Sequence, residues 1–342
     1  MGDMKKAIKT VGIIVAVFVL LLVGLVTVFY TEDLPRSTLE GSYFTEHSHY
    51  VEIKIRDLDD QLVSISIHYT DVGEETNPVV VLLHGAFSSL HTFDEWTEVM
   101  VENGYRVISL DQANHGLSGN YSDGIVSMRR NAAVVRELLF FLNVDSAFVV
   151  GNSMGGGVSW FFASEYHGID GFTVHGILLI DAAYPTIPSG APDGARSIVS
   201  NPLFGRLLVK MTPRFLIRSA LKDVYGSAST LEERTVDRYF DLLRKEGNRT
   251  NLIGSVQETI PDHGLSGEQR LDRIKEDQIP VLVLWGAEDT WISSDYASDF
   301  KERLDLDEDD VLIFDGLGHV PMEENPAATI VPVMDFFNKI TP

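Results

Sequence analysis

The chain has 342 residues, a formal net charge of −23 and no cysteine. The missing cysteines exclude disulfides, a thiol nucleophile and thiolate metal sites, and the acidic balance with no basic stripe argues against a nucleic-acid partner. An apolar fraction of 44% is enough for a large core, and the length suits one large domain with an insertion.

From the N-terminus, Val11 to Tyr30 carries no charge and is dominated by Val, Leu, Ile, Phe and Gly. Twenty helical residues span roughly 30 Å, the thickness of a bilayer core. The run exceeds a signal-peptide apolar region of about 7–15 residues and lacks a small-x-small cleavage site, so it reads as an uncleaved anchor rather than a signal peptide. Lys5, Lys6 and Lys9 precede it, and Glu32 and Asp33 follow it. That bias predicts a cytoplasmic N-terminus and the body of the chain on the non-cytoplasmic side. Residues 1–30 are thus the anchor, and 31–50, with Pro35, the polar linker.

Val51–Arg56 and Leu62–Tyr69 alternate well enough for a hairpin that opens a sheet. His47, His49 and His68 lack metal-site spacing and read as surface residues. The acidic runs Asp57–Asp60 and Asp305–Asp310 read as solvated surface. Further strands are expected near 78–84, 105–110, 147–151, 176–181, 280–285 and 310–314. They alternate with helical stretches, which predicts a mostly parallel sheet with helices on both faces. The interval 185–275 breaks this rhythm. It is helix-like, and Phe204 to Leu221 mixes Leu207, Leu208, Met211, Phe215, Leu216 and Ile217 with Arg206, Lys210, Arg214 and Arg218. It reads as a helical cap inserted into a core of 51–184 and 276–342. Its amphipathic helix packs on that core, with a lipid contact or a pocket wall as rival roles.

The chemistry centres on Gly151-Asn152-Ser153-Met154-Gly155, a G-x-S-x-G sequence. The apolar run Ala147–Val150 precedes it and a helix-compatible stretch from Gly156 to Ala163 follows. A serine on a tight strand-to-helix turn is held strained and exposed, and small neighbours let strand and helix approach. The helix N-terminus points free N–H groups at a developing oxyanion. Ser153 is the expected nucleophile, and it needs a base and an orienting carboxylate. His319 lies on the loop Asp315–His319 after the strand Val311–Phe314. Asp289 lies just past the strand Pro280–Gly286. The order Ser, Asp, His suits this arrangement. Glu288 and Asp181 are the rival acids. The run Pro78–Leu83 ends in His84-Gly85, and the following loop would aim the Ala86 N–H at a substrate carbonyl oxygen. The Met154 N–H would be the second oxyanion donor. His84 reads as a residue that braces this loop.

With these motifs in order, the chain resembles the α/β-hydrolase superfamily over about residues 75–335. Gly151–Gly156, Leu284–Asp289 and Gly318–Glu323 are similar to cold-adapted bacterial lipases and esterases. The same elbow occurs in hydrolases that cleave carbon–carbon bonds of meta-ring-fission products. Membrane-anchored monoacylglycerol lipases share a single N-terminal span. The family loop Asp-x-Pro-Gly-His-Gly-x-Ser reads Asp111-Gln112-Ala113-Asn114-His115-Gly116-Leu117-Ser118 here, with Asn114 where Gly is common. Asn tolerates the left-handed backbone such a turn needs. Asp111 and His115 read as structural. The resemblance implies an eight-stranded α/β-hydrolase fold with a helical cap and one transmembrane helix. It implies a serine carboxylic-ester hydrolase working through an acyl-serine, without metal or organic cofactor. A small-molecule or lipid ester would be the substrate, with the membrane met through the N-terminal helix. A carbon–carbon bond hydrolase with the same triad, and a non-catalytic ligand sensor on the same scaffold, are the alternatives.

Overall fold

The computed structural model describes residues 2–56, 61–186, 209–250 and 264–341. Eight strands form one sheet: β1 (Ser48–Arg56), β2 (Leu62–Val72), β3 (Val79–Leu83), β4 (Arg106–Leu110), β5 (Ser146–Asn152), β6 (Thr173–Ile180), β7 (Val281–Gly286) and β8 (Val311–Phe314). Their spatial order is β1-β2-β4-β3-β5-β6-β7-β8. β1 with β2 and β2 with β4 pair antiparallel, and all other neighbours run parallel. This is the α/β-hydrolase fold.

β3 and β7 carry no polar side chain, and the other central strands few, because both sheet faces are covered. Alternation then sorts their side chains between two cores. Val79, Val81 and Leu83 of β3 join one, with Phe161 and Phe162 of α5 (Met154–Tyr166), Leu138 of α4 (Met128–Phe141) and Phe300. Val80 and Leu82 join the other, with Trp96 and Met100 of α3 (Asp94–Glu102) and Val333 and Phe337 from the C-terminal helix. Each fully buried Val, Leu or Phe contributes about 1.5–3 kcal/mol, so these faces dominate stability. Parallel strands all end on one sheet edge, and the loops after β3, β5, β7 and β8 gather there.

The N-terminal helix α1 (Gly2–Phe29) contains a 22-residue stretch, Ile8–Phe29, long and apolar enough to cross a membrane and wholly unburied. Those properties suit a membrane span and a signal sequence alike. Its last turn meets the body: the Phe29 and Phe215 rings lie 5.6 Å apart edge-to-face, and the Thr31 N–H donates to the Lys210 carbonyl at 2.8 Å.

Two expectations change in this region. Residues 31–50 are not a bare linker. They hold α2 (Arg36–Tyr43), whose Leu39 is buried, and the Tyr50 hydroxyl donates to Glu40 at 2.8 Å. Arg249 donates to Thr31 Oγ1 at 2.6 Å and pairs with Asp33, binding the segment to the body. His68 is not a surface residue. It is fully buried, with Nδ1 at 2.7 Å from Asp111 Oδ2, because the loop after β4 covers its face of β2. His47 and His49 are exposed, as is most of Asp305–Asp310.

Between β6 and β7 the described residues include α6 (Arg214–Val224), α7 (Glu233–Leu243) and α8 (Gly267–Glu276). The basic residues of α6 face acids of α7: Arg214 pairs with Glu233 at 2.7 Å and Asp237 at 2.5 Å, and Arg218 with Glu233 at 2.6 Å. Such exposed pairs are screened by solvent and serve more to align the two helices than to stabilise them. Helix α8, which the sequence assigns to the end of the cap, sends Leu271 and Ile274 into the main core. Asp57–Asp60 and the stretch Phe204–Leu208 with Arg206, Leu207 and Leu208 lie outside the described residues, as do 187–203 and 251–263.

Candidate active site

Ser153 stands between β5 and α5 with φ 55° and ψ −118°, a strained backbone for a residue with a side chain. Its N–H donates to the Ile180 carbonyl at 2.9 Å, and its own carbonyl accepts from Gly157 at 3.1 Å and Ala183 at 2.9 Å. The strain is thus held by bonds from both neighbouring elements. Gly151 and Gly155 make the turn possible. A Cβ on Gly151 would lie 2.2 Å from the Gly155 carbonyl oxygen, and one on Gly155 would lie 2.1 Å from that of Leu83.

His319 follows β8. Its Nδ1 lies 2.6 Å from Asp289 Oδ2, in the loop after β7. The other Asp289 oxygen accepts the Trp291 N–H at 2.7 Å and the Ile292 N–H at 3.0 Å. Three donors surround this carboxylate, and its bond to His319 fixes the imidazole proton on Nδ1. Nε2 is then left as the acceptor. The Trp291 ring lies 5.7 Å from the His319 ring at 30° and is itself half exposed, an apolar wall beside the imidazole.

The rival acids do other things. Glu288 faces away and accepts from the Ser227 N–H at 2.6 Å and the Ser227 hydroxyl at 2.7 Å, which hold its carboxyl below the usual range. Asp181 is fully buried behind the pair, with Oδ1 accepting the Gly286 N–H at 3.0 Å. One side-chain atom each of Asp181, Asp289 and His319 lies within 4.8 Å of the others. That spacing also suits a shared cation, but His319 Nδ1 and Asp289 Oδ2 already engage each other.

The Ala86 loop is pressed against the elbow: a Cβ on Gly85 would lie 3.1 Å from Ser153 Cβ and 2.8 Å from Asn152 Oδ1. Phe87, next in this loop, has φ 63°. Among the described residues, neither the Ala86 nor the Met154 N–H donates to a protein acceptor. His84 Nδ1 donates to the Gly85 carbonyl at 2.7 Å, and Nε2 accepts the Gln112 N–H at 2.9 Å, so its ring braces the loop. Burial lowers its basicity, as it does for His115, whose pKa falls to about 3 through burial and the nearby His84. Asp111 ties three segments together, accepting from His68, from Leu90 N–H at 2.9 Å and from Leu117 N–H at 2.7 Å. Burial alone would raise its pKa, but the bond and charge of His68 hold it well below the carboxylate range. Asn114 takes φ 69°, the left-handed conformation expected of it.

Three supports were not read from the sequence. Asn152 Nδ2 donates to the His319 carbonyl at 2.9 Å and to Ile180 at 3.2 Å, joining elbow to base loop. Glu324 accepts from the N–H groups of Gly318 at 2.9 Å, Val320 at 3.2 Å and Gly226 at 2.7 Å. The end of α6 also holds the His319 loop: His319 N–H donates to the Val224 carbonyl at 2.8 Å, and Thr290 Oγ1 to that of Asp223 at 2.8 Å. Asn152 lies inside the pentapeptide and Glu324 five residues past His319, so position alone is the available signal.

Residues 80–332 match the family model described as "Alpha/beta hydrolase family", and the chain belongs to that family. A 2-hydroxy-6-oxononadienedioate/2-hydroxy-6-oxononatrienedioate hydrolase of Burkholderia vietnamiensis is 26% identical over 286 residues, covering 80% of this chain and 92% of the relative. A 2-hydroxy-6-oxo-6-phenylhexa-2,4-dienoate hydrolase of Comamonas testosteroni is 29% identical over 264 residues, covering 73% and 82%. The solved structure of a thermophilic esterase from Thermogutta terrifontis superposes with TM-score 0.66 at 17% identity, covering 86% of this chain and 100% of that one, a likeness of fold alone.

These relatives correct the expected branch. The esterase or lipase assignment, the carboxylic-ester hydrolase activity and the lipid-ester substrate give way to relatives named for 2-hydroxy-6-oxo-dienoates. The physical reason is that nucleophile, base and oxyanion donors act on a carbonyl. They do not specify which bond to that carbonyl breaks.

Proposed function

We propose that the protein is a carbon–carbon bond hydrolase of the meta-cleavage-product type, acting on a 2-hydroxy-6-oxo-dienoate through Ser153, His319 and Asp289. The observation that carries it is the Asp289–His319 bond of 2.6 Å beside a strained elbow serine, in a chain whose curated relatives are named for that substrate class. Such a compound contains no ester, so its hydrolysis must break a bond between carbons.

The chemistry follows from the substrate. In the dienol form, breaking the bond between C5 and C6 would leave an unstabilised vinyl carbanion. Moving the 2-hydroxyl proton to C5 gives a 2-keto-3-ene. The same bond can then break with its electron pair delocalised onto the 2-keto oxygen. Nε2 of His319 suits this proton transfer, and then takes the Ser153 hydroxyl proton as that oxygen adds to C6. The Ala86 and Met154 N–H groups stabilise the C6 oxyanion. Collapse expels the C5 fragment as a dienolate, which takes a proton and leaves as a 2-hydroxydienoate. Water activated by His319 then releases the carboxylic acid from acyl-Ser153. Asp289 keeps the imidazole in the required tautomer throughout. The planar dienone suits the flat wall of Trp291.

The test is the ratio of kcat/KM for 2-hydroxy-6-oxo-dienoates to that for p-nitrophenyl esters, measured on the full chain in lipid nanodiscs. The proposal expects the dienoates to be preferred by at least about tenfold, or roughly 1.4 kcal/mol in transition-state binding. Turnover of esters with no cleavage of dienoates would overturn it.

The lysine bias around α1 supports a body on the non-cytoplasmic side. Protease added to intact spheroplasts should then degrade the body and leave a small membrane-bound fragment. Protection until lysis would place it inside, and mature protein lacking residues 1–30 would make the segment a cleaved signal.

A further inference from the structure

Asp181 has no part in the chemistry above, yet it is buried directly behind it. It follows β6 with φ 44°, in the left-handed region that Asp and Asn tolerate best among side-chain-bearing residues. Its carboxyl accepts one bond, Gly286 N–H to Oδ1, and Oδ2 is buried with no other donor directed at it among the described residues. Asp289 and His319 each bring a side-chain atom within 4.8 Å.

Two carboxyl groups buried this close do not both ionise. The donors decide which one holds the proton. Asp289 is met by three N–H groups, from His319, Trp291 and Ile292. Asp181 is met by one. Ionised Asp181 would leave a buried, uncompensated charge on Oδ2, whereas a protonated Oδ2 gives Asp289 a fourth donor. We infer that Asp181 is a positioning residue that stays protonated and donates a hydrogen bond from Oδ2 to Asp289, restraining the basicity of the carboxylate that orients His319. The charged groups facing it are Asp289 after β7, His319 after β8, and Glu324 in the short helix Pro321–Glu324. Burial first, then the Asp289 charge, raise its pKa well above the carboxylate range, in the same direction as the geometry. The inference rests on the Asp289–His319 reading above and not on which substrate bond is hydrolysed.

The sign of its effect makes it testable. A neutral donor on Asp289 spreads the negative charge there, so imidazolium at His319 is less stabilised. Removing the donor must raise the acid limb of kcat/KM. If Asp181 were ionised, removing its charge must lower that limb. Asp181→Asn keeps size, backbone preference, the acceptor for Gly286 and an N–H donor. It is expected to keep kcat within about threefold and leave the acid limb unmoved. Asp181→Ala is expected to move the limb up by about half a pH unit or more. Infrared spectra of the resting full-length protein at neutral pH should show the C=O stretch of a protonated carboxyl, absent in Asp181→Asn and present in Ser153→Ala. A downward shift of the limb in Asp181→Asn, or no such band in the wild type, overturns the inference. An unmoved limb in Asp181→Ala also overturns it, reducing Asp181 to a space-filling role. If Asp181→Ala does not fold, the Asn variant and the infrared band still decide. The band is read without turnover, so it separates failure here from failure of the substrate assignment.

Discussion

Asp289→Asn tests the orienting role with little change in shape. The two oxygens of Asp289 have different tasks, and this fixes what an amide can do. One accepts the Trp291 and Ile292 N–H groups at 2.7 and 3.0 Å, so the amide oxygen must occupy that side. The amide NH2 then faces His319 Nδ1, where the carboxylate oxygen had been 2.6 Å away. Flipping the amide would set its NH2 against two backbone donors and gains nothing. The imidazole relieves the clash by moving its proton to Nε2, and it then cannot accept the Ser153 proton. The expected loss is about 10⁴-fold in kcat, or roughly 5.5 kcal/mol, as for a triad base locked in the wrong tautomer. Steady-state kinetics on the dienoate substrate, with a thermal melt to show that folding is retained, measure it. A folded Asp289→Asn protein within about tenfold of wild-type kcat would refute the tautomer argument.

Ser153→Ala and His319→Ala should each cost at least about 10³-fold in kcat, and the double variant little more, because the two act as a unit; additive losses would separate their roles. Gly155→Ala should destabilise the fold by about 1–3 kcal/mol or more, since its Cβ would lie 2.1 Å from the Leu83 carbonyl oxygen, and an unchanged denaturant midpoint would contradict that packing. His115 has its folded pKa lowered to about 3, so unfolded chains bind a proton there that folded ones do not, and stability must fall as pH drops from about 6.5 toward 3. Urea melts of His115→Gln should show that slope reduced by about one proton, or 1.4 kcal/mol per pH unit, and an unaltered slope would place the acid sensitivity elsewhere.

The strands were legible because both sheet faces are buried. Runs such as Pro78–Leu83 and Pro280–Trp285 are apolar at every position and end where the backbone turns to the site. The serine turn was legible because strain and close packing leave a mark in small residues around Ser153. His68 was misread because its burial comes from a loop some forty residues later, through Asp111, and strand alternation carries no trace of that. The segment 31–50 looked like a linker because its helix is short and polar, and it is held by Arg249 and Asp241, remote in sequence. The esterase branch was misread for a chemical reason. The motifs around Ser153, His319, Ala86 and Met154 imply chemistry at a carbonyl, and no short motif records which bond to that carbonyl breaks. Asp181 and Asp289 both stand just past strand ends, and the structure distinguishes them because His319 Nδ1 bonds Asp289.

The most direct measurement of the central claim is product analysis by mass spectrometry after incubating the full-length protein with a 2-hydroxy-6-oxo-dienoate in heavy-oxygen water. Hydrolysis of the bond between C5 and C6 predicts a 2-hydroxydienoate without label and a carboxylic acid carrying it, both lost with Ser153→Ala. Intact dienoate from an enzyme that turns over simple esters would contradict the account.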